Sequence, residues 1–272
     1  MTGRALRLLT ALFLVSTMLI ATASQARANG PSILGGGSGF AALEIDQWRA
    51  DTARAPFNLT VNYEAQGSTF GRTQFGSGAF DFGASDIQYM ESELGPGGLI
   101  GNGSQRCAGK QLTQCFVYVP VSAGGLAFMY NLTDNSGNQI NNLQLTRDAA
   151  CKIFTGAITK WNDPEIVASN PQLASLNRDI RPVVRSDGAG ESFVFSQFCL
   201  AVDPGAWGAF VAEQRANSTA WSSDTAEFTQ GQPTSVWPQQ GWGNNPISVA
   251  FADGVANYVA DPVGGPNTIT YV

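Results

Sequence analysis

The sequence predicts an α/β protein, because strand-like and helix-like segments alternate along it and because frequent, scattered Gly and Pro mark tight turns between short elements. An export signal ahead of four cysteines adds that the chain works in an oxidising compartment.

The elements follow in order. Arg4 and Arg7 precede an apolar run from Leu8 to about Ile20, and small residues then lead to Ala26-Arg27-Ala28. Residues 1–28 therefore read as a Sec-type signal peptide cleaved near Ala28, which implies a secreted or periplasmic protein. The run is shorter than the roughly 20 apolar residues of a membrane span, and no later segment is long and apolar enough to make one. No cysteine stands at the cleavage site to carry a lipid. Residues 41–50 form a plausible helix behind a Gly-rich run, residues 57–63 (FNLTVNY) alternate as a strand, and a short helix is expected through Gln74 and Phe75. Residues 80–83 look like another short strand, and residues 116–120 and 125–130 form a strongly apolar pair. Residues 146–154 return to helix, residues 181–184 to strand and residues 192–202 to helix.

Composition narrows the chemistry. Without the signal peptide, 12 basic and 21 acidic residues leave a net charge of −9, the opposite of a nucleic-acid binder. An acidic protein that binds an anion must use local dipoles and one or two buried cations, because its overall field repels the ligand. The absence of His removes Ser-His and Cys-His nucleophile pairs, His-ligated zinc and the commonest general base. Four cysteines in an exported chain suggest two disulfides, and three pairings are possible. Cys107 and Cys115 flank a short loop while Cys151 and Cys199 each lie on a helix-like stretch, so those two pairs are expected; free buried thiols are the alternative. With no C-x-x-C and no His, neither a metal nor any other cofactor is expected.

Four segments carry the groups an anion site needs. Gly35-Gly36-Gly37-Ser38-Gly39-Phe40 opens a helix whose first N–H groups can point at an anion, or it is a flexible turn. Ser68 and Thr69 supply hydroxyls to a ligand or cap the helix they begin. Residues 81–86 (DFGASD) run a strand into a small-residue corner ending in Asp86, either a helix cap or an acceptor for a proton carried by the ligand. Residues 185–193 (RSDGAGESF) deliver Arg185 from a strand into a Gly-rich turn that opens a helix. The Arg185 fork and the unpaired helix N–H groups suit a tetrahedral anion, with Asp187 holding the Arg; the bland reading is a surface turn with a local ion pair.

Taken together, Gln66-Gly67-Ser68 with residues 81–86, residues 153–164 (IFTGAITKWNDP) and residues 185–195 (RSDGAGESFVF) resemble the periplasmic phosphate-binding proteins that feed phosphate-specific ABC importers. Weaker support comes from the apolar residues 125–130 followed by Asn131 and Leu132, and the order of segments holds from about Gly35 onward. The resemblance implies a two-lobed α/β fold of the periplasmic-binding-protein type 2, with residues 29–119 as lobe 1, residues 120–272 as lobe 2, and the ligand in the cleft between them. It places phosphate contacts at Gly39, Phe40, Ser68, Asp86, Arg185, Ala189, Gly190 and Glu191, backed by Asp187 and Thr69. It also implies a monomer that partners inorganic phosphate and a membrane permease, and no catalysis. Asp86 would accept the proton of hydrogen phosphate, whereas sulfate would set lone pairs against it.

Three positions depart from the family pattern. Gly39 stands for a hydroxyl residue, and Ala189 and Glu191 for Ser or Thr, which leaves the backbone N–H groups but removes two or three hydroxyl bonds worth about 0.5–1.5 kcal/mol each. Glu191 repels an anion unless it accepts a phosphate proton or turns to solvent. Residues 267–272 (NTITYV) resemble the strand near the second crossover, after which the family returns to lobe 1; either the chain is a fragment or its first lobe is smaller than usual. The alternative functions are a receptor for another oxyanion or acidic solute, and a surface interaction module that has lost its ligand. A hydrolase is disfavoured by the lack of His and of a G-x-S-x-G elbow.

Overall fold

The computed structural model describes residues 30–98, 100–107, 109–217 and 231–272, so the expected signal peptide lies outside the described residues. The α/β class is found, arranged around two separate sheets. The first is fully parallel, in order β2-β1-β3, from β1 (Ser32–Gly37), β2 (Thr60–Glu64) and β3 (Phe82–Ala84). Parallel neighbours need crossovers. Helices α1 (Ala42–Thr52) and α2 (Ser68–Gly76) supply them. A hairpin of β4 (Gly101–Cys107) and β5 (Lys110–Leu112) follows.

The second sheet takes β6 (Phe128–Asn131), β7 (Arg181–Arg185), β8 (Ile247–Val249) and β9 (Thr268–Tyr271) in order β6-β9-β7-β8, with β6 antiparallel to β9 and the rest parallel. Its helices are α3 (Arg147–Phe154), α4 (Pro164–Val167), α5 (Gly190–Val202), α6 (Pro204–Ala216) and α7 (Ala252–Ala260). Sequence sets the start of α3, where the Thr146 hydroxyl accepts from the Ala149 N–H at 3.1 Å. Among the described residues no helix is long and apolar enough to cross a membrane.

The two sheets differ in how much they bury. Around the second, Phe154, Phe195, Trp207, Phe210, Trp237 and Tyr271 belong to one large buried cluster, with Phe195 stacked on Trp237 at 5.3 Å and edge-on to Phe154 at 5.1 Å. The cluster around the first contains only Ala41, Ile45 and Ala84 as buried members. Backbone contact takes over there. A Cβ on Gly71 of α2 would lie 2.6 Å from the Gly36 carbonyl and 2.7 Å from that of Ala84, so only glycine lets α2 rest on β1 and β3.

The first member of the apolar pair forms no strand. Residues 116–120 have the apolar, β-branched composition of a strand, yet they form none, and β6 begins only at Phe128. Propensity needs a partner to act on. Among the described residues no backbone hydrogen bond holds residues 116–126, Pro120 has no N–H to give, and Val117 and Val119 stand exposed. The neighbouring β3 pairs on one side only, with β1.

Cys107 pairs with Cys115 and Cys151 with Cys199, as expected, and no cysteine is free. The first closes the hairpin; the second ties α3 to α5 inside the large core. Their separations of 8 and 48 residues predict unequal contributions, since a longer loop loses more chain entropy on closure. Replacing Cys151 and Cys199 together by Ala should cost about 2–5 kcal/mol in urea denaturation. The Cys107 and Cys115 pair should cost less, and a reversed order would refute the argument.

Candidate functional site

The carboxyl ends of β1, β3 and β7 and the amino ends of α2 and α5 converge, which is where open α/β sheets place ligands. On the first sheet the centre is Asp86, two residues beyond β3. Its Oδ1 accepts from the Ser38 hydroxyl at 2.6 Å and its Oδ2 from the Ser68 hydroxyl at 2.9 Å, while its own N–H donates to Ser68 Oγ at 3.1 Å. Asp86 therefore caps no helix, and Ser68 spends its hydroxyl on Asp86 and not on α2. The N-cap of α2 is Gly67, held at φ +97°, a conformation that favours glycine.

Ser38 is the site residue that sequence reasoning missed. It is buried, and besides holding Asp86 it accepts from the N–H groups of Phe40 at 3.1 Å and Ala41 at 3.3 Å. Its carbonyl accepts from the Tyr63 hydroxyl at 2.6 Å, and burial, reinforced by the Asp86 charge, pushes that phenol well above its ordinary range. The signal was present as a lone hydroxyl in a Gly-rich run. Gly35, Gly36 and Gly37 turn out to be the end of β1 and not a ligand loop.

On the second sheet, Arg185 ends β7 with 2% of its surface exposed. Its Nε donates to Asp187 Oδ1 at 2.8 Å, and its Nη2 bonds Asp187 Oδ2. Its Nη1 faces Glu191 Oε2 at 3.2 Å. Asp187 is steadied in turn by the Phe251 N–H at 2.8 Å. Burial pulls the guanidinium down, but the bonds from Asp187 and the charge of Glu191 outweigh it and hold Arg185 above its ordinary value. Glu191 is 7% exposed, and burial raises its pKa against the opposing pull of Arg185. The glutamate therefore neither turns to solvent nor stands free.

Among the described residues, no carbonyl accepts from the N–H groups of Gly190, Glu191 or Ser192 at the start of α5. A thirteen-residue helix directs its dipole there. Close backbone contact joins the two sides. Thr69 donates its N–H to the Gly188 carbonyl at 3.1 Å and shares a 2.9 Å hydroxyl bond with Ser235. A Cβ on Gly190 would overlap the Asp86 carboxylate, and one on Gly67 would lie 2.7 Å from Asp187 Oδ2. A cleft of about 720 Å³ opens beside Asp86, Gly190 and Glu191 and runs on along residues 115–124.

Of the residues singled out from sequence, Ser68, Asp86, Arg185, Gly190 and Glu191 come together, with Asp187 and Thr69 behind them. Phe40 lines the cleft, but its N–H is taken by Ser38. The Ala189 N–H donates to the Ser235 carbonyl at 2.9 Å, which fixes the turn and removes it as a ligand donor. Gly39 does not line that cleft; a Cβ on it would lie 3.9 Å from the Ala252 side chain.

A family model described as a PBP superfamily domain matches residues 22–266. A phosphate-binding protein PstS of Xylella fastidiosa is 33% identical over 229 residues, covering 84% of this chain and 50% of that protein. The phosphate-binding protein PstS of Haemophilus influenzae is 34% identical over 181 residues, 66% of this chain and 47% of that protein. The chain thus spans about half the length of the curated relatives it matches. The crystal structure of an ancestral soluble variant of the human phosphate-binding protein superposes with a TM-score of 0.52 at 17% identity, covering 89% of this chain and 56% of that one, a likeness of fold.

The buried cation makes a pH-dependent prediction. Arg185→Met strands two carboxylates in a poorly solvated place, and breaking a buried pair in this way costs about 3–5 kcal/mol. Glu191 has its folded pKa raised, so the stability its protonated form lends is present below the ordinary carboxylate value and lost as pH rises through the folded value. The penalty of Arg185→Met should accordingly shrink toward acid. Urea denaturation at neutral pH and at about pH 4.5 checks this; a penalty independent of pH would count against it.

Proposed function

The chain belongs to the PBP superfamily, and on that footing we propose that it is an extracytoplasmic receptor that captures inorganic phosphate between its two lobes. It acts as a monomer, secreted or periplasmic after cleavage near Ala28, and passes the anion to the membrane permease of an ABC importer without altering it.

The observation that carries this reading is Asp86, a carboxylate set by two serine hydroxyls against the amino end of α5. A site made only of donors suits any oxyanion. A site that adds one fixed acceptor suits an oxyanion that still carries a proton, because the proton donates to the acceptor while the remaining oxygens take donors. Hydrogen phosphate meets both demands, and sulfate at neutral pH fails the second. The Gly190 N–H, the α5 dipole and Arg185 are the donors, and Ser68 acts through Asp86, whose carboxylate it holds. Phe40 lines the cleft, Ala189 anchors the turn, and Asp187 and Thr69 hold Arg185 and the two sides in place.

Titration calorimetry with phosphate and sulfate tests the reading. Phosphate should bind and sulfate should compete at least about a hundredfold less well. In Asp86→Asn the amide can donate where the carboxylate could only accept, so the gap should narrow by on the order of tenfold or more. Equal competition by sulfate in the native chain would sink the selectivity argument. An aryl phosphate monoester should be left intact; its turnover would overturn the absence of catalysis.

A further inference from the structure

Resting on the reading above, we infer that Glu191 is a built-in competitor for the bound anion, occupying the edge of Arg185 that a ligand needs and yielding it when the glutamate takes up a proton.

The geometry leaves little choice. Asp187 holds Nε and Nη2 of Arg185 and is itself pinned by the Phe251 N–H, so that side of the fork is structural. The remaining edge presents Nη1, and Glu191 Oε2 lies 3.2 Å from it. Glu191 follows Gly190 at the start of α5, whose N–H groups and dipole attract negative charge. The carboxylate therefore collects the same attractions, from the same cation and the same helix end, that an incoming oxyanion would use.

The charges around it decide what releases it. Arg185 and Asp187 face Glu191 from the end of β7, Asp86 from beyond β3, and the buried Tyr271 phenol from β9. Two carboxylates, Asp187 and Glu191, already face one guanidinium and Asp86 adds its charge on the Glu191 side, so a further anion would enter against a local excess of negative charge. A proton on Glu191 removes one of those charges and frees Nη1. Burial already favours that neutral form, and two neighbouring carboxylates push the same way. Capture of the anion is then coupled to uptake of a proton by the protein, and affinity rises as pH falls.

The test is calorimetric titration of inorganic phosphate into the native chain, Glu191→Gln and Glu191→Thr. Each is run between about pH 5 and about pH 8, in two buffers of different ionisation enthalpy, so that protons bound per phosphate are counted. Both variants keep the Asp187 bonds to Arg185. Protons exchanged by phosphate itself are common to all three proteins and cancel in the comparison. The expected result is a larger proton uptake by the native chain. Its affinity should also trail the variants by on the order of tenfold near pH 8, the size of one charge-assisted hydrogen bond, and converge with theirs near pH 5. Binding by all three with equal proton counts and parallel pH profiles would overturn the competitor role and leave the receptor reading standing. Binding by none of them at any pH would bring down the receptor reading and the competitor with it.

Discussion

The buried guanidinium of Arg185 organises the second sheet's side of the site. Arg185 ends a strand that lies inside the second sheet, and a charge there is tolerable only if its partners are fixed and complete. Those partners come from successive layers. Asp187 is two residues on, Glu191 opens α5, the Phe251 N–H steadies Asp187 from the start of α7, and Gln239 donates to the Arg185 carbonyl at 3.1 Å. The guanidinium holds Asp187 and Glu191 directly, while Phe251 is joined to it through Asp187 and Gln239 through the Arg185 carbonyl.

The two sheets divide the work. The second rests on a large aromatic core cross-braced by the Cys151–Cys199 disulfide, so α5 and Arg185 sit on a platform that side-chain packing makes rigid. The first gathers only a small buried apolar cluster among the described residues and leans on glycine backbone contact at Gly71. That contact brings Ser68 and Ser38 to Asp86 with short side chains, which have few rotamers to lose. The Asp86 carboxylate thus sits in the lightly packed half and the Arg185 guanidinium in the heavily packed one.

Much of this was legible in the sequence, for reasons of locality. The residues 185–193 turn states its strand, its glycines and its helix within nine positions, and residues 81–86 state strand, corner and carboxylate within six. The disulfide pairing followed from which cysteines lay on helices. Ser38 was hidden because its importance comes from Asp86, 48 residues away, and Ser235 because it meets Thr69 across 166 residues. Residues 116–120 stay irregular for the converse reason: their composition suits a strand and no partner strand lies beside them among the described residues. The position of Glu191 depended on which edge of Arg185 Asp187 left open, a matter of side-chain geometry that spacing does not encode.

Trp237 gives the arrangement a consequence for the core. Its indole is fully buried, stacks on Phe195 one turn beyond Glu191 in α5, and follows Ser235, which bonds both the Ala189 N–H and the Thr69 hydroxyl, by two residues. A shift of the α5 amino end or a parting of the two sides is transmitted to the ring through one stacking contact and one short stretch of backbone. The ring therefore couples the site to the aromatic core, where it also packs against Trp207, Phe210 and Tyr271.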